Sequence, residues 1–225
     1  MPEQLILDLP HLAAQGAEDF LVSPSNRAAV DIIECWPDWP TSAIIICGPP
    51  GVGKSHLVNM WHIHSRANVI CASELDENMA GQLEQGRPLA IEDLHDGVAS
   101  EKALFYRLNM AREHSSTILL TSHFPPGELR ITLPDLRSRL RALPVAAIAL
   151  PDDTLLQSLL VKLFQDRQLP VEPEIIKSIM THMERSAQAA SQVVAEIDRL
   201  TLATRRKVTR KLAKEVIHKL FPVTY

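Results

Sequence analysis

Ala43-Ile44-Ile45-Ile46-Cys47-Gly48-Pro49-Pro50-Gly51-Val52-Gly53-Lys54-Ser55 is the stretch that decides the fold. Its first half is a short apolar run rich in β-branched residues, as expected of a parallel strand buried on both faces. Its second half, Gly48 to Ser55, matches G-x-x-x-x-G-K-[ST]. Glycines let the backbone turn tightly and bring N–H groups against phosphate oxygens. The helix that follows aims the positive end of its dipole, about half an elementary charge, at the same point. Lys54 would bridge the β- and γ-phosphates, and the Ser55 hydroxyl would join a magnesium shell. The expected cofactor loop is therefore Gly48, Pro49, Pro50, Gly51, Val52, Gly53, Lys54 and Ser55, with His56 adjoining it, and the expected ligands are ADP or ATP with Mg2+. The plain alternative is a chance Gly/Pro loop, which arises in roughly one chain in a hundred of this length at ordinary glycine usage. The strand before the loop and the helix after it are the context that the motif requires.

Outward from the loop, the apolar runs Val69–Ala72, Leu89–Ile91 and Thr117–Thr121 also read as buried strands, with a less marked one at Val145–Ile148. Lys54–Ser65 and Glu101–Glu113 have helical spacing, with Leu104, Leu108 and Ala111 on one stripe. Strand–helix alternation predicts an α/β fold, a parallel sheet with helices on both faces, over residues 11–150. After Pro151 the pattern is helical. Asp152 or Asp153 can cap a helix bearing Leu155, Leu156, Leu159, Leu160 and Leu163, and Pro173 suits the first position of a second. Ser186 and Thr209 can open two more, so residues 151–225 predict a small all-helical subdomain of about four helices. Residues 1–10 predict a short extended tail in which Leu5, Leu7 and Leu9 alternate with other types.

A phosphate loop of this kind also requires carboxylates at the end of a neighbouring strand. Leu89-Ala90-Ile91-Glu92-Asp93 supplies them: Glu92 to hold magnesium with Ser55, Asp93 to orient the attacking water. Two solvated carboxylates at a strand end are the bland alternative. Trp36 and Trp39, with Pro37 and Pro40, predict a turn before the first strand. His56, His62 and His64 do not share one helical face and predict no metal site.

Bulk properties bound the function. The 225 residues are 46% apolar and 22% charged, enough for a sizeable core, with a formal net charge of −4. That balance argues against general affinity for nucleic acid but leaves a local basic patch open. The one charge asymmetry is Arg199, Arg205, Arg206, Lys207, Arg210, Lys211 and Lys214, a run more often solvated than functional. The N-terminus has no secretory pattern, and no run of 18 apolar residues occurs. Three widely spaced cysteines fit a reducing compartment. A cytoplasmic protein without a membrane segment is expected.

The order of these features resembles the AAA+ class and, more closely, the nucleotide-binding domain of the bacterial replication initiator DnaA. Asp19-Phe20-Leu21-Val22-Ser23-Pro24-Ser25-Asn26 is similar to the family segment that lines the adenine pocket, which implies roles for Phe20 and Val22. Thr121-Ser122-His123-Phe124-Pro125-Pro126 resembles the strand end called sensor 1, with His123 at the sensor position. Asp135-Leu136-Arg137-Ser138-Arg139-Leu140 resembles the box that carries the arginine finger. The resemblance implies that Arg139 acts in trans on a neighbour's γ-phosphate, on a stretch whose alternating arginines suggest an exposed edge. The helices from 151 onward resemble the AAA+ lid, with Gln188 at the sensor 2 arginine position and Arg185 one turn earlier.

The sequence ends at Tyr225, just after the lid, so the initiator's helix-turn-helix DNA-binding domain is expected to be absent. The tail Gln4-Leu5-Ile6-Leu7-Asp8-Leu9 looks like the Q-L-x-L-x-L peptide that docks on the bacterial sliding clamp. Together these features resemble the Hda family, regulatory inactivators of DnaA. The resemblance implies a clamp-bound protein that stimulates ATP hydrolysis by the initiator, with Gln4, Leu5, Leu7 and Leu9 as the clamp contact. Burying one leucine contributes about 1.5–3 kcal/mol, less the cost of ordering the segment. A tether packed on its own core would alternate in the same way. DNA contact would be indirect or slight, and a finger at an edge implies that two such modules meet, in a homodimer or with a partner.

Departures from the family pattern matter for the chemistry. Glu92 stands where Asp is usual, which moves its carboxylate by about 1 Å or more given bond lengths near 1.5 Å. His123 and Gln188 replace the usual sensor residues. Together they imply slow hydrolysis at this chain's own site, while leaving Arg139 intact for a partner's site. The alternative function is an ATP-driven loader or remodelling enzyme of a replication component, similar to helicase loaders, which needs intact sensors. A metabolic phosphoryl-transfer enzyme is a third reading, without an evident acceptor site.

Overall fold

The structure, a computed structural model, describes residues 20–84, 86–204 and 206–222. They form two compact units: Val22–Leu150, and residues 151–222 with residues 20–21. In the first, chain order runs α1 (Arg27–Glu34), β1 (Ala43–Cys47), α2 (Lys54–Ser65), β2 (Asn68–Cys71), α3 (Glu77–Gln82), β3 (Leu89–Glu92), α4 (Glu101–Glu113), β4 (Ile118–Ser122), α5 (Pro134–Ala142) and β5 (Val145–Ala147). The five strands form one sheet in the order β2-β3-β4-β1-β5, and every pairing is parallel.

All five residues of β1 are buried, as its uninterrupted apolar run requires at the interior of a sheet covered on both sides. Ile45, Ile91 and Leu120 pack on the face covered by Leu104 and Leu108 of α4 and by Leu136 and Leu140 of α5. Helix α2 contacts β3 and β4, and α1 contacts β5. The bounds differ from the sequence expectation by a residue or so. Ala72 leaves β2 for a 3-10 turn, because the Glu74 carboxylate accepts a hydrogen bond from the Cys71 N–H at 3.2 Å and closes a capping box. Strand β4 runs on to Ser122, and β5 is a three-residue edge with Val145 and Ala147 exposed.

The tryptophans do more than close a turn. Trp61 of α2 is 1% exposed. Trp39 stacks on it at 5.3 Å between ring centroids, and Trp36 meets it edge-on at 6.3 Å. Trp36 Nε1 donates to Thr117 Oγ1 at 3.0 Å, and Trp39 Nε1 to the Ile32 carbonyl at 2.6 Å, so these two indoles satisfy their polar ends, while Trp61 Nε1 is buried without a partner. The loop between α1 and β1 is thereby pinned to the helix that follows the phosphate loop.

The second unit holds α6 (Asp153–Asp166), α7 (Pro173–His182), α8 (Ala187–Thr204) and α9 (Arg210–Leu220). Their starts follow capping chemistry. The Asp152 carboxylate accepts from Leu155 N at 2.7 Å, Ser186 Oγ from Ala189 N at 3.0 Å, and Thr209 Oγ1 from Leu212 N at 3.2 Å. Pro173 occupies the first turn of α7. Leu156, Leu160, Phe164, Ile179, Val193, Ile197 and Val216 form the core. None of the described helices is long and apolar enough to cross a membrane.

Glu196 on α8 ties this unit together at its surface. Arg199 clamps its carboxylate at 2.7 and 2.8 Å, and Lys219 of α9 reaches it at 2.7 Å. The Arg199 hydrogen bonds, helped by Lys219 and opposed by burial, bring its pKa from 4.5 to about 2. A depressed carboxylate contributes stability above its unfolded pKa and loses it as pH falls through the folded one, so the window lies between about 4.5 and 2. Glu196→Gln is expected to lower stability at neutral pH by about 1 kcal/mol, since Arg199 and Lys219 are largely exposed. Thermal melts followed by circular dichroism should show the wild-type advantage shrinking across that window. An advantage that persists at the acid end would contradict the ion-pair origin.

Candidate nucleotide site

The parallel register brings the carboxyl ends of β1, β3 and β4 to one edge, with Cys47 opposite Ser122. Ligands of open α/β sheets bind at that edge. Gly48 leaves β1 with its N–H on the Ser122 carbonyl at 3.1 Å, and Ile148 N donates to Cys47 O at 2.7 Å. A β-carbon on Gly48 would lie 2.4 Å from the Ile148 carbonyl oxygen, a backbone atom that cannot step aside. Gly48→Ala is therefore expected to destabilise the first unit by roughly 1–3 kcal/mol through overpacking. A thermal melt indistinguishable from wild type would contradict this. Gly51 and Gly53 both hold positive φ, 72° and 106°, and Gly53 opens α2.

Lys54, the first residue of α2, is 7% exposed and folds back over the loop, donating to the Gly48 carbonyl at 2.8 Å and the Pro49 carbonyl at 2.9 Å. Burial lowers its pKa, while the nearby carboxylates of Asp93 and Glu92 favour the ammonium form. Cys47 is itself buried, and burial raises its thiol pKa, so it is not a reactive thiolate. Val52 is buried beneath the loop, Ser55 is exposed in the first turn of α2, and Pro49, Pro50 and His56 line the same turn. Glu92 ends β3 with Oε1 buried and without a hydrogen-bond partner. Such an oxygen suits the water shell of a magnesium ion, so the donor set of Ser55, Glu92 and the loop N–H groups fits a Mg2+–nucleotide.

Asp93 turns the chain out of the strand at φ 61°, and its N–H donates to Thr121 Oγ1 at 3.1 Å. Thr121 and Ser122 are fully buried, and Ser122 Oγ accepts from Phe124 N at 3.1 Å. His123 follows at the tip of β4, with its ring stacked on His95 at 3.4 Å between centroids and Phe124 edge-on at 6.3 Å. Burial, Lys54 and His95 together lower its pKa, against the pull of Asp93 and Asp96, so it stands neutral at pH 7. His95 has no role in the sequence reading, and Thr121 enters it only as part of the strand end that resembles sensor 1. Asp-x-His at a strand end was the available signal for His95.

Other expected residues lie elsewhere. The alternating arginines are in helix α5, where Leu136 and Leu140 face the core and Arg137 and Arg141 are exposed one turn apart. Arg139 is half-buried against α4, donating to Asn109 Oδ1 and lying 5.6 Å from the Phe105 ring centroid. The segment before α5 is fixed by Glu101, whose carboxylate accepts from Thr132 N, Thr132 Oγ1 and Leu133 N at 2.6–2.9 Å. Val22 is 46% exposed and Phe20 is half-buried. In the helical unit Gln188 is exposed in the first turn of α8, and Arg185 pairs with Asp153 at 2.5 Å. Of the basic run, Arg199 is paired as above and Arg210 lies 3.4 Å from Glu174; Arg206, Lys207, Lys211 and Lys214 are exposed. Gln4, Leu5, Leu7 and Leu9 lie outside the described residues, as does Arg205.

No family model matches the chain. The chromosomal replication initiator protein DnaA of Corynebacterium aurimucosum is 21% identical over 231 residues, covering 91% of this chain. The chain spans 42% of that relative's length. Among solved structures, domain III of the Thermotoga maritima replication initiation protein DnaA has a TM-score of 0.77 at 19% identity, covering 92% of this chain and 97% of the domain. AMPPCP-bound DnaA from Aquifex aeolicus gives 0.69 at 21%, covering 88% and 68%. The Thermotoga maritima RuvB Holliday junction branch migration motor gives 0.67 at 15%, covering 88% and 68%. With its parallel five-stranded sheet, phosphate loop and helical unit, the chain has the fold of an AAA+ P-loop NTPase.

Proposed function

We propose that this protein is a nucleotide-bound regulator of bacterial replication initiation, which docks on the DNA polymerase sliding clamp and stimulates ATP hydrolysis by the initiator DnaA. The observation that carries the reading is the match to a single DnaA domain over nearly all of that domain, with the phosphate loop and Lys54 in place. In this reading ADP or ATP with Mg2+ occupies the loop. Lys54 and the N–H groups from Gly51 to Ser55 hold the phosphates, while Glu92 and Ser55 hold the metal. Val22 adds to the nucleotide's surroundings. The changes at Glu92 and His123 slow hydrolysis here, so that bound nucleotide shapes the domain.

The catalytic contribution is Arg139, delivered to the initiator's γ-phosphate. Its present partners, Asn109 and Phe105, are neutral, so an anionic phosphate competes well for the guanidinium. The N-terminal tail supplies the clamp contact through Gln4, Leu5, Leu7 and Leu9, and two copies on one clamp would gain from multivalency.

A reconstitution tests the reading: initiator, ATP and DNA-loaded clamp, with wild-type protein or with Leu7→Ala combined with Leu9→Ala. Wild type is expected to speed hydrolysis and the tail variant to fail unless supplied in large excess. If wild type leaves the rate unchanged, the reading is wrong. Rapid turnover of ATP by this protein alone would favour a loader or remodelling enzyme instead.

A further inference from the structure

We propose that Asp93, His95 and His123 form a binding site for a divalent transition-metal ion of the zinc class. One ligand atom from each of the three residues lies within 4.8 Å of the others. The donor set, two imidazoles and one carboxylate with a fourth position left to water, is one that zinc accepts. Magnesium prefers oxygen donors, so this chemistry is distinct from that of Ser55 and Glu92.

Four details point to a ligand. The His95 side chain is only 7% exposed, and its Nδ1 is buried without a hydrogen-bond partner. A buried ring nitrogen left unpaired is costly unless something completes it. That Nδ1 faces Asp93 Oδ1 at 3.9 Å, too far for a hydrogen bond. Two bonds of ~2.1 Å to one tetrahedral ion span ~3.4 Å, so a small contraction closes the pair on a metal.

The opposite nitrogen of the same ring, Nε2, lies 3.5 Å from Asp96 Oδ1. A carboxylate behind the far nitrogen, once drawn in to hydrogen-bond distance, fixes the tautomer and orientation of a metal-bound histidine. Finally, the His95 and His123 rings are stacked at 3.4 Å, which holds both imidazoles beside Asp93. Binding takes a rotation of the His123 ring out of the stack, which aims its lone pair at the ion. The loops after β3 and β4 would then be bridged, and an Asp93 oxygen bound to metal could no longer orient a water.

The test uses the full chain, stripped of metal by chelator and kept free of nucleotide and Mg2+. Zn2+ is titrated by calorimetry, and Co2+ by its visible d–d absorption. Wild type is expected to bind one ion per chain. His95→Ala and His123→Ala should each weaken binding at least tenfold, and Asp96→Asn about tenfold. In crystals soaked with Zn2+ the anomalous peak should lie among Asp93, His95 and His123. The proposal is overturned if the double histidine variant, folded by circular dichroism, binds as wild type does. A peak only at Cys35, Cys71 or an exposed histidine such as His62 also overturns it. Should the variants fail to fold, the anomalous peak in wild-type crystals decides alone.

Discussion

Replacing Arg139 with alanine is expected to lower the stimulated rate of initiator ATP hydrolysis by about 10³-fold, at the low end of what arginine fingers contribute. Nucleotide binding by this chain should be unchanged, because Arg139 sits on α5 and packs against α4, away from the phosphate loop. The guanidinium must first leave Asn109 and the Phe105 ring. Those contacts together hold it by about 1–2 kcal/mol, which a charged phosphate readily exceeds. Asn109→Ala should therefore leave the stimulation intact or raise it. Arg137→Ala and Arg141→Ala should matter far less. If Arg139→Ala stimulates as wild type does, the trans-acting role belongs to another residue or to none.

Lys54→Ala is expected to weaken ATP and ADP binding by about 10²-fold, measured by titration with a fluorescent nucleotide. Hydrogen bonds to a charged group contribute about 1.5–3 kcal/mol, and each 1.4 kcal/mol is a factor of ten. The Gly48 and Pro49 carbonyls that Lys54 now contacts keep the ammonium folded over the cradle, so little reordering precedes phosphate binding. Neighbouring carboxylates oppose the lowering of its pKa by burial. Equal affinity in wild type and variant would remove the phosphate reading of the loop.

How much of this was legible in the sequence depends on range. The bounds of α2 and α4 follow from helical spacing alone, and the starts of α6, α8 and α9 from Asp152, Ser186 and Thr209, because caps and periodicity act within one or two turns. The phosphate loop was equally plain, since its backbone demands glycine. What escaped were features made by residues far apart in the chain. Trp61 meets Trp36 and Trp39 only after the sheet forms, and His95 meets His123 only because β3 and β4 are neighbours. The arginines of α5 show a different limit: their alternation does not report secondary structure, while Leu136 and Leu140, four residues apart, carry the helical signal.

The strand order has a consequence for how the molecule is made. Ala43 of β1 pairs with Ile118 of β4, and β1 has no other partner except β5, which comes later still. As the chain leaves the ribosome, the run Ile44-Ile45-Ile46 must wait for most of the first unit before it can enter a sheet. Non-local parallel pairing of this kind folds slowly and leaves apolar strands exposed meanwhile. Longer exposure of apolar chain during synthesis is the cost of putting the phosphate loop on an interior strand whose partners all come later.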